Sequence, residues 1–349
     1  MNGRPSISVL YVAPPSPAYS ADKLFDISNP ILNRDDSLLP YALVREAYAR
    51  SGIEVHTADL LPEKTDHGCD FYSLGMLDGI DELKRRGNVR FRAFVIFEPP
   101  VVEPRLYRAL PELTAIFESV YVHNVDGDGY SLDGVDVSKL RKLYWPQPRH
   151  DVIVNYWEHQ KRQCRIVVVN GNHVPKKIPN ELYSKRIEVM AALAATGKID
   201  LYGRGWERWW SRASMWWPYW KNRRALMSIF RGPCASKYEV LANYHFSLCF
   251  ENMAMRGYVT EKIFDCFYAG TIPLYLGATD IETLIPQEAY VDCRKFQSWS
   301  EMLQYVENMP EEKISAMREH GRAFVRGSGG GRHREALMSV FGLAQEIEG

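Results

Sequence analysis

Short apolar runs, each followed by a polar turn and then an amphipathic segment, recur along most of the chain. Ser6 to Ala13 and Ile53 to Ala58 read as buried strands. Between them, Leu38 to Ser51 has helical spacing (Leu39, Leu43, Ala47) and stops before Gly52, a natural helix terminator. Asp78 to Arg86 is a short charged helix. Arg92 to Phe97 is a strand that runs into Glu98-Pro99-Pro100, and a helix over Tyr107 to Glu118 leads to a strand over Ser119 to His123. A second series begins with the strand Arg165 to Asn170, a helix from about Glu181 to Ala195, and the strand Lys198 to Tyr202. It continues with the strand Tyr244 to Phe250, a helix over Thr260 to Tyr268, and the strand Ile272 to Leu276. Strands alternating with helices at this spacing predict an α/β protein with parallel sheets.

The alternation breaks in the Gly/Asp-rich segment Asp126 to Asp136 and at Trp145-Pro-Gln-Pro148. Two domains are therefore expected, as the length of 349 residues also suggests. The expected bounds are 1–160 for the first and 161–330 for the second, with a Trp-rich insertion at 204–224 and a C-terminal helix or tail at 331–349. Gly327 to Arg332 reads as a flexible hinge. Hydrophobic content of 46% and charged content of 25% are ordinary for a soluble protein. Basic and acidic residues balance at 43 each, which argues against a global electrostatic grip on nucleic acid. The six cysteines form no CxxC pair, so reduced thiols and a cytoplasmic setting are expected. No secretory leader and no run of apolar residues long enough to span a bilayer stand out.

The richest stretch is Phe246-Ser-Leu-Cys-Phe-Glu-Asn252, then Gly257-Tyr-Val-Thr-Glu-Lys262, then Ala269-Gly-Thr-Ile-Pro-Leu-Tyr-Leu-Gly277. It predicts strand, polar loop, helix, turn and strand, with Glu251, Glu261 and Lys262 where the first strand ends and the helix begins. Carboxyl ends of parallel strands are where ligands bind in such sheets. Thr260 is placed to cap the helix, whose free N–H groups and partial positive charge favour a diphosphate, and Lys262 adds a full charge. Glu261 would accept hydrogen bonds from sugar hydroxyls. The bland alternative is a solvated first helical turn, which the flanking apolar strands disfavour.

These three segments resemble the signature of the α-1,3/1,4-fucosyltransferases, glycosyltransferase family 10, and the likeness runs without gaps from Tyr244 to Gly277. Asn33-Arg-Asp-Asp36 and Phe97-Glu-Pro-Pro-Val-Val102 are similar to the acceptor domain of bacterial members. The resemblance implies a GT-B fold, two Rossmann-like parallel-sheet domains facing across a cleft. It also implies inverting, metal-independent transfer from GDP-fucose, with no cofactor required, to an oligosaccharide acceptor. Lys262 and Arg186 match the cationic pair on the diphosphate, with Lys176, Lys177 and Lys185 as nearby competitors for the second position. Asn252, Tyr258 and Glu261 match donor-site residues. A departing nucleotide gathers negative charge, and fixed cations stabilise it most in the transition state.

An inverting transfer also needs a base on the sugar face opposite the leaving group. Glu98, at the end of a buried strand of the first half and stiffened by two prolines, meets that need and matches the base implied by the resemblance. Glu103 is the fallback, and a plain loop carboxylate is the bland alternative. Asp126-Gly-Asp128 has the letters of a metal-binding DxD but the context of a turn, and the histidines lack ligand spacing, so no metal site is expected. Trp206 to Trp220 holds six of the nine tryptophans, interleaved with arginines. Acceptor binding, peripheral contact with the inner membrane, and a helical insertion packed on the domain remain open for it. Two rival functions also remain open: another GDP-deoxyhexose at the same site, or a catalytically idle glycan- or nucleotide-binding protein.

Overall fold

The computed structural model describes residues 9–63, 68–159, 161–208 and 216–343. The chain forms two compact units, 1–148 together with 333–349, and 149–332. The division thus falls at 148/149, earlier than the 160/161 boundary expected, and the C-terminal segment belongs to the first unit instead of standing apart.

The first unit holds β1 (Val9–Ala13), α1 (Leu39–Arg50), β2 (Glu54–Thr57), β3 (Cys69–Ser73), α2 (Ile80–Arg86) and β4 (Val89–Val95). It continues with α3 (Pro104–Arg108), α4 (Leu110–Ile116), β5 (Ser119–Val122) and β6 (Leu140–Lys142). The sheet order is β2-β1-β3-β4-β5-β6, with every pairing parallel. Apolar residues fill both faces in strict alternation. Leu10 and Val12 join one core cluster, Tyr11 and Ala13 the other. Burial on both faces is why these strands read as unbroken apolar runs. β3 escaped the sequence reading although it lies between β1 and β4. Its short Cys-Asp-Phe-Tyr-Ser run follows a polar stretch, and Asp70 looks loop-like. In the fold Asp70 bridges to Arg90 (2.7 Å) and Arg92 (3.6 Å) on β4. The helix expected over Tyr107 to Glu118 is two helices, broken at Ala109 ahead of Pro111.

The second unit holds α5 (Val154–Trp157), β7 (Gln163–Val169), α6 (Tyr183–Leu193), β8 (Ile199–Tyr202), α7 (Trp217–Ile229), β9 (Phe230–Gly232) and α8 (Lys237–Leu241). It goes on with β10 (Tyr244–Phe250), α9 (Glu261–Ala269), β11 (Ile272–Leu276), β12 (Val291–Asp292), α10 (Trp299–Glu307), α11 (Glu311–Arg326) and α12 (Ser328–Arg334). A last helix, α13 (Ala336–Val340), packs in the first unit. There Leu337, Val340 and Phe341 are buried, and burial of side chains of this size contributes roughly 1.5–3 kcal/mol each, enough to hold the segment down.

The second sheet runs β12-β11-β10-β7-β8-β9, again all parallel. From β7 the chain winds outward through β8 and β9, then restarts at β10 on the other side. The order reverses between β7 and β10, and a crevice opens beyond the carboxyl ends of strands at such a point. The short outer strands β6, β9 and β12 carry too little pattern to be read in advance.

Gly327 to Arg332 is not a hinge. Ser328 to Arg334 is helical, and the glycines are there for lack of room. A Cβ on Gly329 would lie 2.3 Å from the Phe324 ring, and one on Gly330 would lie 2.3 Å from the Val325 carbonyl oxygen. Close packing overrides the intrinsic reluctance of glycine to be helical.

Candidate functional site

The reversal point of the second sheet carries a cluster of charged side chains. A cavity of about 210 Å³ opens there, between Asn170 and Gly171 after β7, Cys249 and Phe250 on β10, and Glu261 and Lys262 on the first turn of α9. Behind its wall lies Glu251, fully buried. Its carboxylate accepts from the Thr260 amide (2.8 Å) and the Thr260 hydroxyl (2.8 Å), and it pairs with Lys262 Nζ at 3.1 Å. The Lys262 ammonium also donates to Thr260 Oγ1 at 2.9 Å. An ammonium has three donors, and the third lies near Glu261 Oε1 at 3.6 Å, beyond hydrogen-bond range. Burial alone would push the Lys262 pKa down, but Glu251 and Glu261 outweigh it and raise the pKa above that of a free lysine. Glu261 is desolvated too, yet Lys262 and Lys237 hold its pKa below the usual glutamate value. Both groups are therefore charged at neutral pH.

Thr260 does occupy the cap position, but its hydroxyl makes no capping bond to an amide. Glu251 takes that place, presenting a carboxylate to the positive end of α9 from a neighbouring strand. Gly277 makes room for it. A Cβ there would fall 2.5 Å from Glu251 Cγ and 2.5 Å from the Tyr275 hydroxyl.

Arg186, on α6, is buried at 3% exposure. It donates from Nη1 to Asn170 Oδ1 (2.6 Å) and from Nη2 to the carbonyls of Phe250 (2.7 Å) and Glu251 (3.0 Å). Desolvation lowers its pKa, countered by Tyr183 and Glu251. It clamps the ends of β7 and β10 together, and it does not line the cavity. The resemblance sets Arg186 on the diphosphate; in this structure its guanidinium is engaged by these three acceptors. Tyr258 is likewise fully buried, its carbonyl receiving the Tyr275 hydroxyl at 3.5 Å. Asn252 is half-buried, and its carbonyl accepts from the Leu182 amide (3.0 Å), tying the loop to the start of α6. Of the donor-side candidates, then, Glu261 and Lys262 face the cavity while Arg186, Tyr258 and Asn252 support its walls.

Two partners escaped the sequence reading. Asn170 ends an apolar Val-Val-Val run at the reversal point, and that placement was its only signal. Its side chain takes Arg186, and its carbonyl takes the Trp206 indole at 2.7 Å. Gly203 lies so close that a Cβ would sit 1.9 Å from that carbonyl oxygen, and its φ of 144° suits only glycine. Glu251 was noticed as charged, but its hold on Lys262 depends on a loop closure that spacing does not show.

In the first unit the sheet order reverses between β1 and β3, and Glu98 lies beyond the end of β4, the next strand over. It is half-buried in a bend. Its carbonyl accepts from the Tyr107 hydroxyl (3.1 Å), and the preceding Phe97 carbonyl is hydrogen-bonded to His123 Nε2 at 2.7 Å. The Pro99 carbonyl accepts from the amides of Val102 (2.9 Å) and Glu103 (3.0 Å), closing the turn. His123 is buried, and desolvation pushes its pKa down to about 3, so the ring is neutral. Asp126-Gly-Asp128 forms a turn, with the Asp128 amide donating to Asn124 Oδ1 at 3.0 Å and Gly127 at φ 83°. Among the described residues no group of three or more His, Cys, Asp or Glu is placed to hold a metal.

The Trp-rich segment resolves mostly into packing. Trp206 and Tyr219 are buried in the core under α6 and α10, with Trp216 and Trp220 packed against it. Trp206 is thus part of the core, while Trp217 is 74% exposed. Trp209 and Trp210 lie outside the described residues. Among the described residues no helix is long and apolar enough to cross a bilayer.

The profile of the glycosyltransferase family 10 (fucosyltransferase) C-terminal domain matches residues 160–320, which contain the whole reversal-point site. Residues 160–320 belong to glycosyltransferase family 10. An α-(1,4)-fucosyltransferase of Arabidopsis thaliana is 32% identical over 80 residues, 23% of this chain and 20% of the relative. The α-(1,3)-fucosyltransferase FucT of Helicobacter pylori is 36% identical over 78 residues, 22% of this chain and 16% of the relative. The matches thus span about a fifth or less of these family 10 relatives. For the fold, a crystal structure of an α1,3-fucosyltransferase superposes with a TM-score of 0.54 at 15% identity, over 91% of this chain and 83% of that one. Anabaena HepE, solved with UDP and glucose, superposes at 0.52 and 10% identity, over 96% and 99%. The chain has the GT-B fold, built of two Rossmann-like units.

Proposed function

We propose that this chain is an inverting, metal-independent glycosyltransferase. It would move L-fucose from GDP-fucose to a hydroxyl of an N-acetylglucosamine or glucose unit of a surface glycan. The observation that carries the proposal is the charged Lys262 on the first turn of α9, lining the cavity at the reversal point. The fucosyltransferase names of the relatives support the choice of sugar.

In the proposed reaction the GDP diphosphate lies at the start of α9, where Lys262 and the helix amides meet the charge that builds as the sugar–phosphate bond breaks. Glu261 accepts hydrogen bonds from sugar hydroxyls. Glu98 takes the proton from the acceptor hydroxyl as it attacks the anomeric carbon. Arg186 enters as a positioning residue, holding Asn170 and the Glu251 backbone so that Lys262 points outward. Asn252 and Tyr258 shape the loop that carries this end of the helix.

Two variants test the assignment. Glu98→Gln should keep GDP binding and lose transfer by at least ~100-fold, the scale of a missing general base. Lys262→Ala should weaken GDP binding in a calorimetric titration. Unchanged turnover in the first would remove Glu98 from the reaction, and an unaltered titration in the second would remove Lys262 from the diphosphate.

A further inference from the structure

At the opposite end of the second sheet, where β7 and β10 begin, lies a second cluster of cations that the proposed reaction does not use. A cavity of about 410 Å³ is lined there by Trp157, Arg162, His245 and Arg318, with Glu158 and Glu311 also on its wall. Arg162 donates through Nη1 and Nη2 to the carbonyls of Tyr156 and Trp157 in α5, Tyr244 in β10 and Ala269, the last residue of α9. A cation on helix carboxyl ends is the expected arrangement.

The unusual feature is a second arginine brought to the same place. Arg318 Nη2 and Arg162 Nη2 lie 2.9 and 3.0 Å from the point a Cβ on Gly270 would occupy, and both donate to the Trp157 carbonyl. The Trp157 ring lies under the Arg318 guanidinium at 4.6 Å. Repulsion between the arginines adds to burial in depressing the pKa of Arg162 to about 9, and burial depresses that of Arg318 too. Arg162 Nε, Arg318 Nε and His245 Nδ1 are buried without a hydrogen-bond partner. Three unmatched nitrogens from three elements, two of them on adjacent cations, are an arrangement that a bound anion would relieve.

We propose that this cavity binds a small phosphate-type oxyanion between Arg318 and Arg162, with His245 as the third donor. A tetrahedral oxyanion can accept from several donors at once, and all three residues line this one cavity. Glu158 and Glu311 are exposed, so solvent screens their repulsion of the anion. Free phosphate and the phosphoryl group of a sugar phosphate share this chemistry. The site is independent of the diphosphate site and stands whether or not fucosyl transfer is confirmed.

The test is calorimetric titration of the full chain with inorganic phosphate and, separately, with glucose 1-phosphate at matched ionic strength. Wild type should show a saturable site for phosphate that survives Lys262→Ala. Arg318→Gln and His245→Ala should each weaken it about tenfold or more. Tighter binding of glucose 1-phosphate through the same residues would identify a phosphorylated sugar as the ligand, and equal or weaker binding would identify free phosphate. Should Arg318→Gln fail to fold, His245→Ala carries the test alone. Absence of saturable binding in wild type would overturn the proposal. So would a site lost with Lys262→Ala and kept in the Arg318 and His245 variants.

Discussion

The two places assigned chemistry, the Glu98 turn in the first unit and the start of α9 in the second, are held in opposite ways. At α9 the fixing groups are charges. Glu251 is sealed from solvent and anchors Lys262, and Arg186 clamps the strand ends beneath. The backbone around Glu98 is held by neutral groups, a histidine ring on the Phe97 carbonyl and a tyrosine hydroxyl on the Glu98 carbonyl. A group that must meet the charge of a diphosphate is itself best oriented by an ion pair. Ion pairs therefore fix the Lys262 side chain, and neutral hydrogen bonds fix the backbone that carries Glu98.

The largest expected effect lies on the charged side. Glu251→Ala would leave Lys262 without its buried partner and strip Thr260 of both its bonds. Breaking a buried pair from one side costs about 3 kcal/mol or more. Urea denaturation should show that loss together with weaker GDP binding. A drop below about 1 kcal/mol would mean that Lys262 finds water or Glu261 instead, and the contrast with the Glu98 turn would fail.

Acid should find the neutral side. His123 takes up a proton near pH 6.5 in an unfolded chain but only at about pH 3 in the folded one. Between those values the unfolded state binds more protons, so stability falls as pH is lowered, by up to about 1.4 kcal/mol per pH unit. Above pH 6.5 the ring is neutral in both states and contributes no dependence. Glu261 adds to the loss only at lower pH, because its stabilising charge is fully present above the ordinary glutamate value and disappears as pH falls through its lowered pKa. Denaturation from pH 7 to pH 4 should therefore be markedly less pH-dependent in His123→Phe than in wild type. Parallel curves would show that the ring protonates in place.

Tyr107→Phe should have the smallest effect. It removes one hydrogen bond to the Glu98 carbonyl, about 0.5–1.5 kcal/mol, and leaves the fold intact. Turnover should fall while GDP binding stays constant. If both stay constant, the bend is set by Pro99 and Pro100 alone.

Much of this was open to reading from the chain itself. β10 and β11 have the bounds their apolar runs predicted, and α9 is offset by one residue. Both strands are buried on both faces, so their pattern is dense, and Gly270 and Gly277 flank β11. Lys262 and Glu261 were legible for the same reason, as charges stranded between two such strands. β3 was not, because a strand of five residues with an aspartate gains its identity from neighbours that pair with it. The glycines of α12 misled because the reason for them is a phenyl ring and a carbonyl that crowd the helix.

Local pattern determined the α/β class, the parallel sheets and the strand-to-helix turn bearing Lys262, since periodicity and the chemistry of helix ends are properties of adjacent residues. Which groups Arg186, Tyr258 and Asn252 touch, and which carboxylate holds Lys262, was decided only by tertiary structure. Burial and hydrogen-bond partners come from segments far apart in the chain, and the spacing of residues along one segment carries no record of what will pack against it.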